Sequence, residues 1–299
     1  MPEGDTLWNA AARLRPALLG QAVTDLRVHQ NRKKGPRPGI TVSSVEAAGK
    51  HLLITFDDDV ILHTHLQMTG EWHLYETRQR WRDEPGAMRA MVEVDGFQAV
   101  CFRAPTVSLY HPAEPGERPW ERLGPDLCVP PIDMDEVHRR LDATDQDRQI
   151  ADVLLDQTLA AGIGNVYKSE TLWFRRTSPF APLSSLDTDR RSALFDTAAE
   201  LLQANLGRAR RQTFRNGLAV YGRGRRDCPR CHATIRRIEH GDDLVRVTYW
   251  CPRCQPGEPP ADAVERAEPG RPGRSGQRPA RHGSPDAYRG TLRSGRRRS

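Results

Sequence analysis

The chain is short of several things, and each shortage excludes a class of protein. No stretch of about eighteen apolar residues occurs, so no segment reads as a membrane-spanning helix. The first residues, Met1 to Leu14, carry two acids and no long apolar run, so a secretory leader is not expected. Of six cysteines, only Cys101 and Cys128 stand outside a paired motif. That is too few for a disulfide scaffold and suits a reducing compartment. Net positive charge is scarce outside the C-terminal tail. After Gln255 ten arginines face five acidic residues, so the tail supplies +5 of the +6 net charge and the rest of the chain is near neutral. Local clusters of charge are then more informative than the total.

The strongest feature present is Cys228-x2-Cys231 followed, nineteen residues on, by Cys251-x2-Cys254. Both knuckles read Cys-Pro-Arg-Cys, a turn sequence. The spacing is that of a structural zinc ribbon, one Zn²⁺ held by Cys228, Cys231, Cys251 and Cys254. Two disulfides or two unrelated reduced pairs are the alternatives. Four thiolates leave no open coordination position, so such a zinc holds structure and does no chemistry. Eight arginines lie between Arg223 and Arg253, which suits a nucleic-acid clamp.

Along the chain four regions are expected. Residues 1–130 open with a helix from Thr6 to about Leu19, apolar at Leu7, Ala11, Leu14, Ala17 and Leu18 and stopped by Gly20. Strand-like runs follow, with one hairpin across Asp57–Asp59 and another across Asp95-Gly96. This region reads as a β-sandwich with a leading helix, within an α+β chain. Six prolines between Pro112 and Pro131 mark a linker in which no helix is expected. Residues 131–226 turn helical, over Asp135–Leu141, Ile150–Leu159, Val166–Phe174 and Thr188–Leu206. The ribbon occupies 227–256. Residues 257–299 are rich in Pro, Gly, Ser and Arg and read as disordered.

The N-terminus, Met-Pro-Glu-Gly, can be a reagent. Loss of Met1 leaves Pro2 with a free secondary amine, and a terminal amine has a pKa near 8 against about 10.4 for lysine. Its condensation with an aldehyde gives an iminium, positively charged at any pH and an electron sink for elimination. Glu3 beside it can act as a general acid. An ordinary chain start is the alternative reading of these two residues.

Five segments in order resemble the formamidopyrimidine-DNA glycosylase and endonuclease VIII family. They are the opening MPEGDT, Ala48-Gly49-Lys50, His65-Leu-Gln-Met-Thr-Gly70, Asp156 to Glu170, and Arg246 to Gln255. The last two resemble the family's helix–two-turn–helix signature and the end of its zinc finger. The resemblance implies a DNA glycosylase and abasic-site lyase of base excision repair in a bacterial cytoplasm or nucleoid, a monomer with damaged DNA as its partner. It implies Pro2 as nucleophile on C1′, Glu3 as acid, Lys50 on the phosphate and sugar oxygen, and β- and δ-elimination from the iminium. Asn165 is expected to cap the helix that follows it, where the helix N-terminus would take a DNA phosphate. Arg246 would place a guanidinium on the phosphates flanking the lesion. Gln67 and Met68 would fill the hole left by a flipped nucleotide. The 8-oxoguanine branch's Arg-x-Phe pair is missing from Phe102–Tyr110. That favours the endonuclease VIII side and oxidised pyrimidines, with an 8-oxopurine enzyme and a non-catalytic damage-binding protein as the alternatives. Position 6 is Thr where the family often has Glu, so one carboxylate is missing.

Overall fold

The computed structural model describes residues 2–29, 39–113, 116–240, 246–261 and 263–265. These residues all fall in one compact unit, Met1–Glu268. The first helix, α1, runs from Gly4 to Leu18 and starts two residues earlier than its apolar spacing suggests. The reason is a local turn: the Thr6 amide donates to the Glu3 carbonyl at 2.9 Å, and the Thr6 hydroxyl accepts from the Glu3 amide at 3.4 Å. Leu7, Ala11, Leu14 and Leu18 are buried against the sandwich core, while Trp8 packs on the helical core. One helix thus joins two hydrophobic clusters.

The sandwich consists of two antiparallel four-stranded sheets. The first contains β1 (Val23–Val28), β5 (Glu71–Glu76), β6 (Met88–Val94) and β7 (Phe97–Phe102), in the order β1-β6-β7-β5. The second contains β2 (Val42–Ala48), β3 (His51–Phe56), β4 (Ile61–His65) and β8 (Thr106–Tyr110), in the order β2-β3-β4-β8. Both expected hairpins form, as β3–β4 and β6–β7. Alternation sends Leu52, Ile54, Phe56 and Leu62 into the core. It also gathers His51, His63 and His65 on the outer face, where His51 pairs across from His65.

The proline-rich segment is more than a linker. A single 3₁₀ turn, Pro119–Arg122, lays Trp120 against His63 at a centroid distance of 5.0 Å. Leu127 and Cys128, farther along, are buried in the helical core. His51 Nδ1 lies 2.7 Å from His63 Nε2 beneath this cover. Burial, then the neighbouring imidazoles, lower His51 to about 3; burial, then His65, lowers His63 to about 4. Both stay neutral in the fold at a pH where the unfolded chain already takes protons. Their stabilisation is therefore complete above about pH 6.5 and is lost as pH falls toward 4. At pH 5 the buried His63 alone should cost about 2 kcal/mol relative to neutral pH. Urea unfolding at pH 7 and pH 5 checks this: His63→Leu should show a smaller acid loss than the parent chain, and an equal loss would rule His63 out as its source.

Helices α2 (Met134–Asp142), α3 (Ile150–Val153), α4 (Asn165–Phe174) and α5 (Thr188–Gln203) form the second layer. The expected helix over Ile150–Leu159 stops after one turn. The Asp156 carboxylate takes the Thr158 amide at 3.0 Å, the Thr158 hydroxyl at 2.6 Å and Arg148 at 2.9 Å, and this turn replaces further helix. The ribbon pairs β9 (Arg236–His240) with β10 (Arg246–Trp250). A short β11, Val264–Glu265, adds to β9, and Glu265 pairs with Arg236 at 3.0 Å. The segment after residue 256 therefore begins with ordered structure, because β9 offers it an open edge. Residues 266–299 lie outside the described residues.

Candidate active site and DNA interface

Glu3 links the start of α1 to the helical layer. Its side chain is fully buried and meets the N-terminus of α4. Glu3 Oε2 accepts from the Gly164 amide at 2.9 Å and the Tyr167 amide at 3.2 Å; Oε1 accepts from Val166 at 2.8 Å. These are the donors a helix start leaves without partners, and the helix dipole favours the anion there. The N-cap is Gly164, and a Cβ at that position would collide with the Glu3 carboxyl, so only glycine admits the contact. Asn165 is consequently not the cap. It occupies the first helical turn, and its Oδ1 accepts from Lys168 Nζ at 3.0 Å. The anion at this helix start is Glu3, which already uses the amides of Gly164, Val166 and Tyr167, so a phosphate cannot take those three donors.

Burial raises the Glu3 pKa, opposed by Arg211, Lys50 and the Val166 and Tyr167 amides. The net shift is upward, the direction that suits a general acid. Lys50 is half-buried after Gly49, whose φ of +54° and contact with Ala161 demand a residue without a Cβ. Its ammonium acts electrostatically on Glu3, His51 and His65. Asp126 fixes the turn by accepting from the Gly49 amide at 2.7 Å.

Pro2 opens into a cleft of about 440 Å³ between α1, the start of β5 and the segment after α5. Asp5, Thr6, Glu71, His73 and Arg211 also line it. Arg211 grips Asp5 with two nitrogens, at 2.8 and 2.5 Å, and donates to Thr6 Oγ1 at 3.1 Å. Its guanidinium stacks over Tyr167, whose hydroxyl donates to Asp5 Oδ2 at 2.8 Å. Thr6 thus accepts a guanidinium hydrogen bond at a position where a carboxylate was sought. Met68 stands at the tip of the β4–β5 loop with 66% of its surface exposed. Gln67 precedes it with φ +47°. An exposed methionine on a tight loop is free to enter a duplex, which packing in a core would forbid. Met68→Ala should then impair cleavage of duplex substrates far more than of single strands, measured by single-turnover kinetics on both. Equal losses would make it a packing residue.

The four ribbon thiols converge. Their Sγ atoms lie within 4.8 Å of one another, with Cys231–Cys251 at 3.4 Å and Cys228–Cys254 at 3.9 Å. A tetrahedron with Zn–S bonds of about 2.3 Å has edges of about 3.8 Å, so the group is compatible with a structural zinc. No disulfide forms among these cysteines. Trp173 Nε1 donates to Cys228 Sγ at 3.3 Å from α4, an outer contact of the sort that orients metal ligands. Arg246 begins β10, and its side chain lies outside the described residues. Several other ribbon arginines serve the fold: Arg230 stacks on Trp173 at 3.9 Å and Arg237 pairs with Glu239 at 2.5 Å.

Two buried charges on α4 escaped the sequence reading. Lys168 Nζ donates to Val247 O at 3.0 Å and Thr248 Oγ1 at 2.9 Å, tying α4 to β10. Glu170 accepts from the amides of Ala219, Val220 and Tyr221 at 2.7–2.9 Å. The available signal was a lysine and a glutamate between the apolar pairs Val166-Tyr167 and Leu172-Trp173, since buried charges must be paired. The Asp5–Arg211 pair left no such mark.

Residues 1–106 match the formamidopyrimidine-DNA glycosylase N-terminal domain, and residues 123–215 match its H2TH domain. A probable endonuclease 8 2 from Streptomyces coelicolor is 40% identical over 94% of this chain and the whole of that protein. The chain belongs to the formamidopyrimidine-DNA glycosylase and endonuclease VIII family. A second relative of this family, the DNA-(apurinic or apyrimidinic site) lyase Nei2 of Mycolicibacterium smegmatis, is 36% identical over 85% of this chain and 99% of its own length. Among solved structures, the MutM (Fpg) protein of Thermus thermophilus superposes with a TM-score of 0.70 at 28% identity, covering 86% of this chain and all of that one. The family thus accounts for the sandwich and the helical layer together. Among the described residues no helix is long and apolar enough to cross a membrane.

Proposed function

We propose that this chain excises oxidised bases, pyrimidines above all, from damaged DNA and cuts the strand through a Schiff base on Pro2. The observation that carries this is the seating of Pro2 at the cleft, joined directly to a Glu3 carboxyl enclosed at the start of α4. The relatives' names, endonuclease 8 and abasic-site lyase, support the same class of activity. In this scheme Glu3 protonates the opening sugar and Pro2 N bonds to C1′. Lys50 holds the flanking phosphate, with Arg246 and Asn165 as further backbone contacts. Gln67 and Met68 occupy the vacated stack. The absent Arg-x-Phe pair in Phe102–Tyr110 supports pyrimidines over 8-oxopurines. The four-cysteine group holds one structural Zn²⁺, keeping β9 and β10 against α4.

Borohydride trapping on an abasic-site duplex tests the scheme. The expected result is a covalent adduct mapped to Pro2 of a chain lacking Met1. Pro2→Gly keeps an amine but makes it primary, so trapping should persist with slower elimination. A chain that retains Met1 and still cleaves would refute Pro2 as nucleophile, and a chain that binds damage without trapping would be a recognition protein.

A further inference from the structure

The Pro2 cleft contains an ionisable pair to which the scheme above gives no role. Glu71 and His73 stand two apart on β5, so their side chains share a face, and both line the cleft with Pro2. His73 Nε2 lies 2.8 Å from Glu71 Oε2. The other oxygen, Oε1, is held by Arg103, which also grips Asp83 at 2.7 Å. Glu71 is therefore fixed at both oxygens, and His73 is oriented by a fixed partner. The side chains keep 43% and 24% of their surface exposed, so water reaches both.

The other acids of the cleft are already committed. Glu3 is enclosed, with three amides on its oxygens. Asp5 is bound by Arg211 and Tyr167, and residue 6 is a threonine. Elimination needs a base that can take a carbon-bound proton and release it to water. We propose that His73 is that base and that Glu71 is its positioning residue; this rests on the reading of Pro2 as nucleophile.

With Nε2–H donated to Glu71, the lone pair of His73 is on Nδ1. Nδ1 takes a proton from C2′ of the Pro2 iminium. The C2′–H electron pair becomes the C1′–C2′ double bond, and the C1′–N π pair moves to nitrogen. The resulting enamine then expels the 3′ oxygen. The C3′–O bond breaks, its pair leaves with the phosphate, and the iminium reforms in conjugation. The imidazolium returns its proton to water at the cleft mouth. No oxidant or further reactant is needed.

The test uses the full zinc-loaded chain on an abasic-site duplex in single turnover. His73→Ala should slow strand cleavage by about tenfold to a hundredfold, while borohydride trapping at Pro2 proceeds as in the parent chain. Added imidazole should restore cleavage to His73→Ala, and should restore it poorly when Glu71→Gln is also present. If His73→Ala does not fold, His73→Gln keeps a donor for Glu71 without a base and should show the same split. Parent-rate cleavage by the His73 variants, or slow cleavage that imidazole cannot restore, overturns the proposal. Failure of the parent chain itself to trap at Pro2 would instead overturn the Schiff-base scheme on which it rests.

Discussion

Glu3→Gln is expected to lower base excision by about a hundredfold, with a smaller loss at preformed abasic sites. Two effects act together. In the proposed scheme the Glu3 carboxyl, whose pKa burial raises, is the acid, and an amide cannot supply that proton. Glutamine also turns one end of the side chain into a donor, facing the Gly164, Val166 and Tyr167 amides that now meet only acceptors. An abasic site already offers a ring that opens unaided, so its cleavage depends less on the acid. Single-turnover rates on a lesion duplex and an abasic duplex, with unfolding curves as control, separate the effects. Excision retained at nearly the parental rate would remove Glu3 from the acid role.

Cys251→Ser should cost the chain its metal and its DNA affinity together, while the sandwich stays folded. Zinc contributes about 10–16 kcal/mol to the folding of small finger domains, far more than the small ribbon core can replace. That core has few members, Ile235, Tyr249, Ala219 and Val220 among them, and part of it is borrowed from α4 through Trp173. Metal analysis of reduced protein should give one zinc for the parent and none for the variant. A parent chain without zinc would sink the assignment. Loss of the ribbon would also withdraw Val247 and Thr248 from Lys168, leaving an ammonium with fewer partners inside the helical layer.

What was legible in the sequence follows the range of the forces concerned. Period-two and period-3.6 patterns are local, so the hairpins β3–β4 and β6–β7 and the helices α4 and α5 could be read with their ends only slightly displaced. The paired Cys-x-x-Cys motif states its own geometry, and the thiols do meet. The false extension of α3 to Leu159 arose because an Asp156 turn, a side-chain choice, outcompeted an apolar period. Asn165 looked like a cap because its residue type suits one; the cap was supplied instead from 161 residues away by Glu3. Separation along the chain likewise hides the pairing of Asp5 with Arg211 and of Glu71 with Arg103. Long-range pairing of charges has no periodicity, and only the fold reveals it.

The capping of α4 by Glu3 sets an order of assembly. On a ribosome, Pro2 and Glu3 emerge first, and α1 and the sandwich can condense as their residues follow. The amides that receive Glu3 belong to Gly164, Val166 and Tyr167, and these appear more than a hundred and fifty residues later. Until that segment arrives to enclose it, Glu3 is a solvated carboxylate without the burial that raises its pKa. A nascent or truncated chain ending before Gly164 therefore exposes a terminal amine without its enclosed acid. In the Schiff-base scheme proposed above, the reactive end of the polypeptide is made at the start of translation and becomes an active site only when the middle of the chain closes over it.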